Sequence, residues 1–240
     1  MITIWNDFLY TPLFNLLIWI YNGWEDGNLG WSVIYLTVIL RTVLLPFSLI
    51  NEYNKTKNEA LYREIKEIEK VYQNDDILKK QEIRQAMKKR RVQPWAKAVV
   101  LGIQALVLVL LYQVFIGGLK GDKIIETLYP SIAWPGVINT NFYGFELGMT
   151  HDIIWSGIVG IFLLVEIYIN LRRFKGGIER KDLTYFILFP TFIFILLWII
   201  PMVKSLFILT SLIFSVVVGN IARLFFQEIV KRNLVKLPKN

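Results

Sequence analysis

Apolar runs long enough to cross a membrane alternate with polar stretches along this chain. Residues 31–50 are almost wholly apolar, about 20 residues or roughly 30 Å of helix, which matches the hydrocarbon core of a bilayer. Runs of the same kind occupy residues 98–116, 153–171, 185–200 and 206–226. The pattern predicts an all-α integral membrane protein with five transmembrane helices. Residues 1–28 are long enough for a helix but carry Asn6, Asp7, Asn15 and Asn22 among their apolar positions. They are expected to form an amphipathic helix in the outer interface, with Leu9, Leu13, Leu16, Leu17 and Ile20 toward the acyl chains and Trp19 and Trp24 near the headgroups.

The segment 51–94 reads differently. Leu61, Ile65, Ile68 and Tyr72 recur at helical spacing, Asn74, Asp75 and Asp76 form a turn and capping cluster, and Ile83 and Met87 supply a facing stripe. A two-helix hairpin with a solvated charged face is the expectation. The organisation that follows is an interfacial helix (1–28), a first span (29–50), the hairpin (51–94), spans two to five (95–226) with an outer loop (117–152), and a basic tail (227–240).

Charge orients these elements. The hairpin carries Lys55, Lys57, Arg63, Lys66, Lys70 and further basic residues up to Arg91, which places it in the cytoplasm by the excess of Lys and Arg found there. Alternate crossing then puts the N-terminus outside and the tail, with Lys231, Arg232, Lys236 and Lys239, in the cytoplasm. The two outer loops hold only Lys120, Lys123 and Lys204. The lack of a basic stretch before Arg41 argues against a cleaved secretory signal.

Composition supports the class and narrows the chemistry. With 55% hydrophobic residues and a mean hydropathy of +0.46, the chain exceeds what a soluble domain of this size hides. It has no Cys and one His, so disulfides and a His or Cys metal cluster are excluded within one chain, and neither metal nor cofactor is expected. The net charge of +8 comes without a folded nucleic-acid motif, and no specific nucleic-acid binding is expected.

The buried polar residues then carry the functional question. Arg41 stands roughly ten residues, or about 15 Å, from either end of its apolar run, where a charge costs about 2.5–3.5 kcal/mol on insertion scales. It needs water or an acidic partner, and Glu166 is the one acidic residue in the interior of a predicted span. Thr42, Ser48, Gln104, Asn170, Ser215 and Asn220 all fall toward the cytoplasmic halves, while the outer halves are filled by Val33, Leu111, Phe194, Trp198 and similar residues. A channel would need polar lining from face to face. The one-sided distribution predicts a hydrophilic recess around Arg41, open to the cytoplasm and closed outside.

The order of parts resembles the YidC/Oxa/Alb membrane protein insertases. The stretches that carry the resemblance are LGWSVIYLTVILRTVLLPFSL (29–49), VQPW (92–95), Gln104 with Leu111-Tyr112, LYPSIAWPGVINTNFYGFELG (128–148) and Pro201 before the last span. The family's Gly-Cys-x-Pro element is replaced by Ala96-Lys97-Ala98-Val99, and the large periplasmic domain of some bacterial members is not expected. The resemblance implies a multi-pass protein of the bacterial plasma (inner) membrane that inserts nascent membrane proteins into the lipid bilayer without an enzymatic step. In it a groove with Arg41, Gln104, Asn170, Ser215, Asn220 and Glu166 attracts acidic substrate tails. The ribosome and the Sec translocon are further candidate partners.

Two rival classes remain at this point. A small polytopic transporter would require a mid-membrane solute site and a second gate, which the polar residues do not outline. An intramembrane hydrolase would use Ser32, in Gly30-Trp31-Ser32-Val33, with His151, but the motif lacks its closing glycine and no orienting acid is indicated.

Overall fold

The computed structural model describes residues 6–23, 27–73, 75–89, 125–175 and 180–235, with scattered positions between 99 and 113. Helix dominates them. A π-helical turn, Asn6–Tyr10, leads into α1 (Thr11–Gly23), followed by α2 (Leu29–Val43), α3 (Leu45–Val71) and α4 (Asp76–Lys89). After a two-stranded hairpin, β1 (Asn141–Phe142) and β2 (Phe145–Glu146), come α5 (Ile153–Lys175), α6 (Arg180–Ile199) and α7 (Val203–Val235). Among the described residues three stretches are long and apolar enough to cross a membrane: Ile153–Arg173, Asp182–Ile199 and Val203–Phe226. The expected second span, 98–116, lies largely outside the described residues.

The expected first span is a broken helix. α2 stops at Val43, Leu44 is a turn residue, and α3 begins with Pro46 in its first turn. Proline has no N–H to give the Thr42 carbonyl four residues back, and its ring crowds that turn, so one helix ends and the next starts. The backbone pattern resumes when the Ser48 N–H donates to the Leu44 carbonyl at 3.1 Å. Only taken together do α2 and α3 pass the length and hydropathy test for a span.

The chain divides into two compact units. The first comprises Met1–Val43, Gly102–Tyr168 and Glu179–Phe214. Its core joins Phe14, Leu17, Ile18 and Tyr21 of α1 to Leu29, Val33 and Leu36 of α2, to Phe142 and Leu147 of the loop, and to Met202, Val203, Leu206 and Phe207 near the start of α7. This corrects the orientation expected of α1: Leu17 and Ile20 are 1% and 2% exposed within the protein core instead of facing acyl chains, whereas Trp19 is 60% exposed.

The polar residues that made α1 look interfacial have a structural task. Asn15 Nδ2 donates to the Thr11 and Thr127 carbonyls at 2.8 and 2.9 Å, and its Oδ1 accepts from the Tyr129 N–H at 2.7 Å. Asn22 Nδ2 donates to the Ala133 carbonyl at 2.7 Å, and the Tyr21 hydroxyl accepts from the Asn139 N–H at 2.9 Å. Together they satisfy backbone groups of a loop that has little secondary structure of its own.

That loop also adds a short β-hairpin to an otherwise helical chain. Asn141 pairs with Glu146 and Phe142 with Phe145 across a two-residue turn, in which Tyr143 (φ 50°) and Gly144 (φ 85°) both take the left-handed conformation that suits a tight hairpin. Phe142 is packed so closely over Gly30 that a Cβ there would overlap its ring. Asp152 ends the loop and caps α5, its Oδ1 accepting from the Ile154 and Trp155 N–H groups at 2.8 and 3.0 Å.

The second unit comprises Leu44–Leu101, Ile169–Ile178 and Ser215–Asn240. Here α3 and α4 pack together, with Leu61, Ile65, Ile68, Tyr72 and Ile83 half-buried and Ala86 fully so. The side chain of Met87 lies outside the described residues. Asp75 caps α4 by accepting from the Ile77 and Leu78 N–H groups, each at 3.0 Å.

Candidate functional site

Because α2 ends at Val43, Arg41 sits in the last turn of a helix and not in the middle of one. The backbone carbonyls at such an end carry partial negative charge, which favours a cation. The residue is only 8% exposed, so its guanidinium requires partners in the protein. One is Ser211 of α7, whose Oγ accepts a hydrogen bond from Arg41 Nε at 2.7 Å. Ser211 is itself fully buried.

The other hydroxyls near this helix end turn inward on their own helices. Thr37 donates to the Val33 carbonyl at 2.6 Å, Thr42 to the Val38 carbonyl at 2.8 Å and Ser48 to the Leu44 carbonyl at 3.2 Å. Thr42 and Ser48, expected among the polar residues of a recess, therefore satisfy their donors one turn back.

The remaining expected site residues fall as follows. Arg41 and Glu166 belong to the first unit, with Glu166 half-buried on α5. Asn170, Ser215 and Asn220 belong to the second, Asn170 half-buried and the other two exposed. Gln104 lies outside the described residues. Measured along their own helices at about 1.5 Å per residue, Arg41, Glu166 and Ser215 stand roughly 18–20 Å from the first residue of α2, α5 and α7, and Asn170 and Asn220 roughly 26 Å.

Ser211 was not among the expected residues. One signal pointed to it: Ser211, Ser215 and Gly219 follow one another at intervals of four, a stripe of small residues on one helix face that permits close approach by a neighbour. At Gly219 a Cβ would stand 3.2 Å from the Glu52 carboxylate.

A second polar contact is an exception to the expected solvated charged face of the hairpin. Glu59 of α3 is 5% exposed and its carboxylate pairs with the Arg223 guanidinium of α7. Tyr53, also on α3, meets Phe226 of α7 edge to face, with ring centroids 5.3 Å apart. Four-residue spacing does not reveal the Glu59–Arg223 pair, because the partners are 164 residues apart.

The hydrolase geometry finds little support. Ser32 is buried and its hydroxyl donates to the Asn28 carbonyl at 3.0 Å. His151 has its ring against Trp198, centroids 5.0 Å apart, and its backbone N–H donates to the Trp198 carbonyl at 2.7 Å.

Comparison with known proteins decides the family. The family model described as 60Kd inner membrane protein matches residues 19–228. The chain belongs to this family. Among relatives of the 60Kd inner membrane protein family, the chain is 26% identical to the membrane protein insertase YidC of Staphylococcus aureus (strain JH9), over 96% of this chain and 78% of that protein. It is also 26% identical to the membrane protein insertase YidC of Aromatoleum aromaticum, over 48% of this chain and only 21% of that protein. The family and the apolar helices together make this a multi-pass membrane protein.

Proposed function

We propose that the protein is a membrane protein insertase of the bacterial plasma membrane, with five spans, an outer N-terminus and a cytoplasmic C-terminus. In this reading residues 1–28 lie at the outer interface, 51–94 form the cytoplasmic hairpin, 117–152 the outer loop and 227–240 the cytoplasmic tail. Nascent membrane proteins and the lipid bilayer are its partners, with the ribosome and the Sec translocon as further candidates.

The observation that carries the reading is Arg41, a permanent charge buried at a helix end and held by the hydrogen bond it donates to Ser211 of a neighbouring helix. A cation kept at such cost inside a membrane protein marks a functional path by default. Here it attracts the acidic tail of a substrate into a hydrophilic groove, where Gln104, Glu166, Asn170, Ser215 and Asn220 supply further polar lining. The tail then faces a shorter low-dielectric path, while burial of the substrate's apolar helix, at about 0.8 kcal/mol per CH₂, drives insertion. No covalent step is required.

The test is insertion of a single-span substrate with an acidic translocated tail into liposomes holding only this protein, read by protease protection of the tail. Protection by the wild type and a loss of roughly tenfold or more in Arg41→Ala are expected. Equal protection in both would make Arg41 a structural residue, and no protection by the wild type would remove the autonomous insertase reading.

A further inference from the structure

Resting on that reading, we infer that Ser211 is a positioning residue, whose hydroxyl orients the Arg41 guanidinium toward the acidic substrate tail. The contact sets Ser211 apart from other helical hydroxyls. Thr37, Thr42, Thr191 and Thr210 each donate to the carbonyl one turn back in their own helix, whereas Ser211 meets a side chain on another helix, at 2.7 Å and out of solvent.

The chemistry of the guanidinium gives this contact its leverage. The group is planar and its five N–H donors point in fixed directions, so holding Nε fixes the plane in which both terminal nitrogens lie. A carboxylate is recognised best by a fork presented in one orientation. Ser211 contributes no charge and forms no part of the attraction itself; it acts through Arg41.

The test uses two single-span substrates that differ only in the translocated tail, one with two Asp and one with two Asn. Initial rates of tail protection are measured in liposomes for wild type, Ser211→Ala, Ser211→Thr, Arg41→Ala and the double variant Arg41→Ala with Ser211→Ala. The readout is the ratio of the acidic to the neutral rate. Wild type is expected to favour the acidic tail. Ser211→Ala should lower the ratio roughly tenfold, the scale of a lost hydrogen bond to a charged group, with the neutral rate unchanged. Ser211→Thr, which keeps the hydroxyl, should restore the ratio, and Ser211→Ala should change nothing further once Arg41 is absent. Should Ser211→Ala not fold, Ser211→Cys takes its place, retaining the size with a much weaker acceptor. An unchanged ratio, an equal fall in both rates, or a loss that adds to that of Arg41→Ala overturns the positioning role while leaving the insertase reading intact. A wild type that inserts neither substrate overturns that reading, and this inference with it.

Discussion

The apolar core of the first unit and the buried face of α3 in the second are built from different kinds of residue. The first is closed by Phe14, Leu17, Ile18, Leu29, Val33 and Leu147, side chains that need nothing but shape and exclusion from water. In the second, the buried positions of α3 are Asn54, Thr56 and Glu59. An apolar core tolerates some repacking because many weak contacts share the load. A buried carboxylate depends on one particular partner, and its removal leaves an uncompensated charge. The difference teaches that the apolar core of the first unit is held by packing, whereas the buried face of α3 in the second depends on a charged pair.

The largest effect should come from breaking the pair. Arg223→Ala strands Glu59 and is expected to cost about 3–5 kcal/mol, seen as faster hydrogen exchange across α3. Replacing both partners, as Glu59→Leu with Arg223→Met, should recover most of the loss, since apolar groups of similar volume remove the need for pairing. If the single variant were silent, the second unit would not depend on its charges and the contrast would fail. Next comes Gly30→Ala, which sharpens the other side. The added methyl meets the Phe142 ring and should cost about 1–3 kcal/mol by overpacking, measured as a lower midpoint of thermal unfolding in detergent.

The smallest effect is at the hairpin turn. The Lys79 ammonium hydrogen-bonds Asp76 Oδ1 at 2.7 Å, and this contact holds the Asp76 carboxyl below its usual range while raising Lys79. A depressed carboxyl stabilises the folded state above its unfolded value, and the contribution is lost as pH falls through the folded one. Exchange at the start of α4 should therefore accelerate slightly on acidification below the ordinary Asp range, and not in Asp76→Asn. Asp76 is exposed and Lys79 partly so, and solvent screening keeps the effect small.

Legibility in the sequence follows the same division. Apolar runs announced the helices that became α5, α6 and α7, because length and hydropathy are properties of a single segment. Arg41 stood out because a lone charge in such a run has few explanations. Four features did not show. Pro46 was visible, yet whether a proline kinks a span or ends it depends on the surrounding packing. The β1–β2 hairpin spans four residues around Tyr143-Gly144, without the Asn-Gly or Asp-Gly that usually signals such a turn. Ser211 and the Glu59–Arg223 pair acquire meaning only when distant segments meet, and a single sequence does not say which segments those are.

The bonds that tie α1 to its loop have a consequence for how this protein is itself made. Asn15, Tyr21, Asn22 and Asn28 find loop partners between 111 and 118 residues downstream. At a synthesis rate of about 5–20 residues per second, the N-terminal helix waits on the order of ten seconds before those partners exist. During that interval its amides and the apolar face that includes Leu17 and Ile20 have no permanent place. Sealing of the first unit is thus a late event in biogenesis, scheduled by the far end of the loop and not by the helix that emerges first.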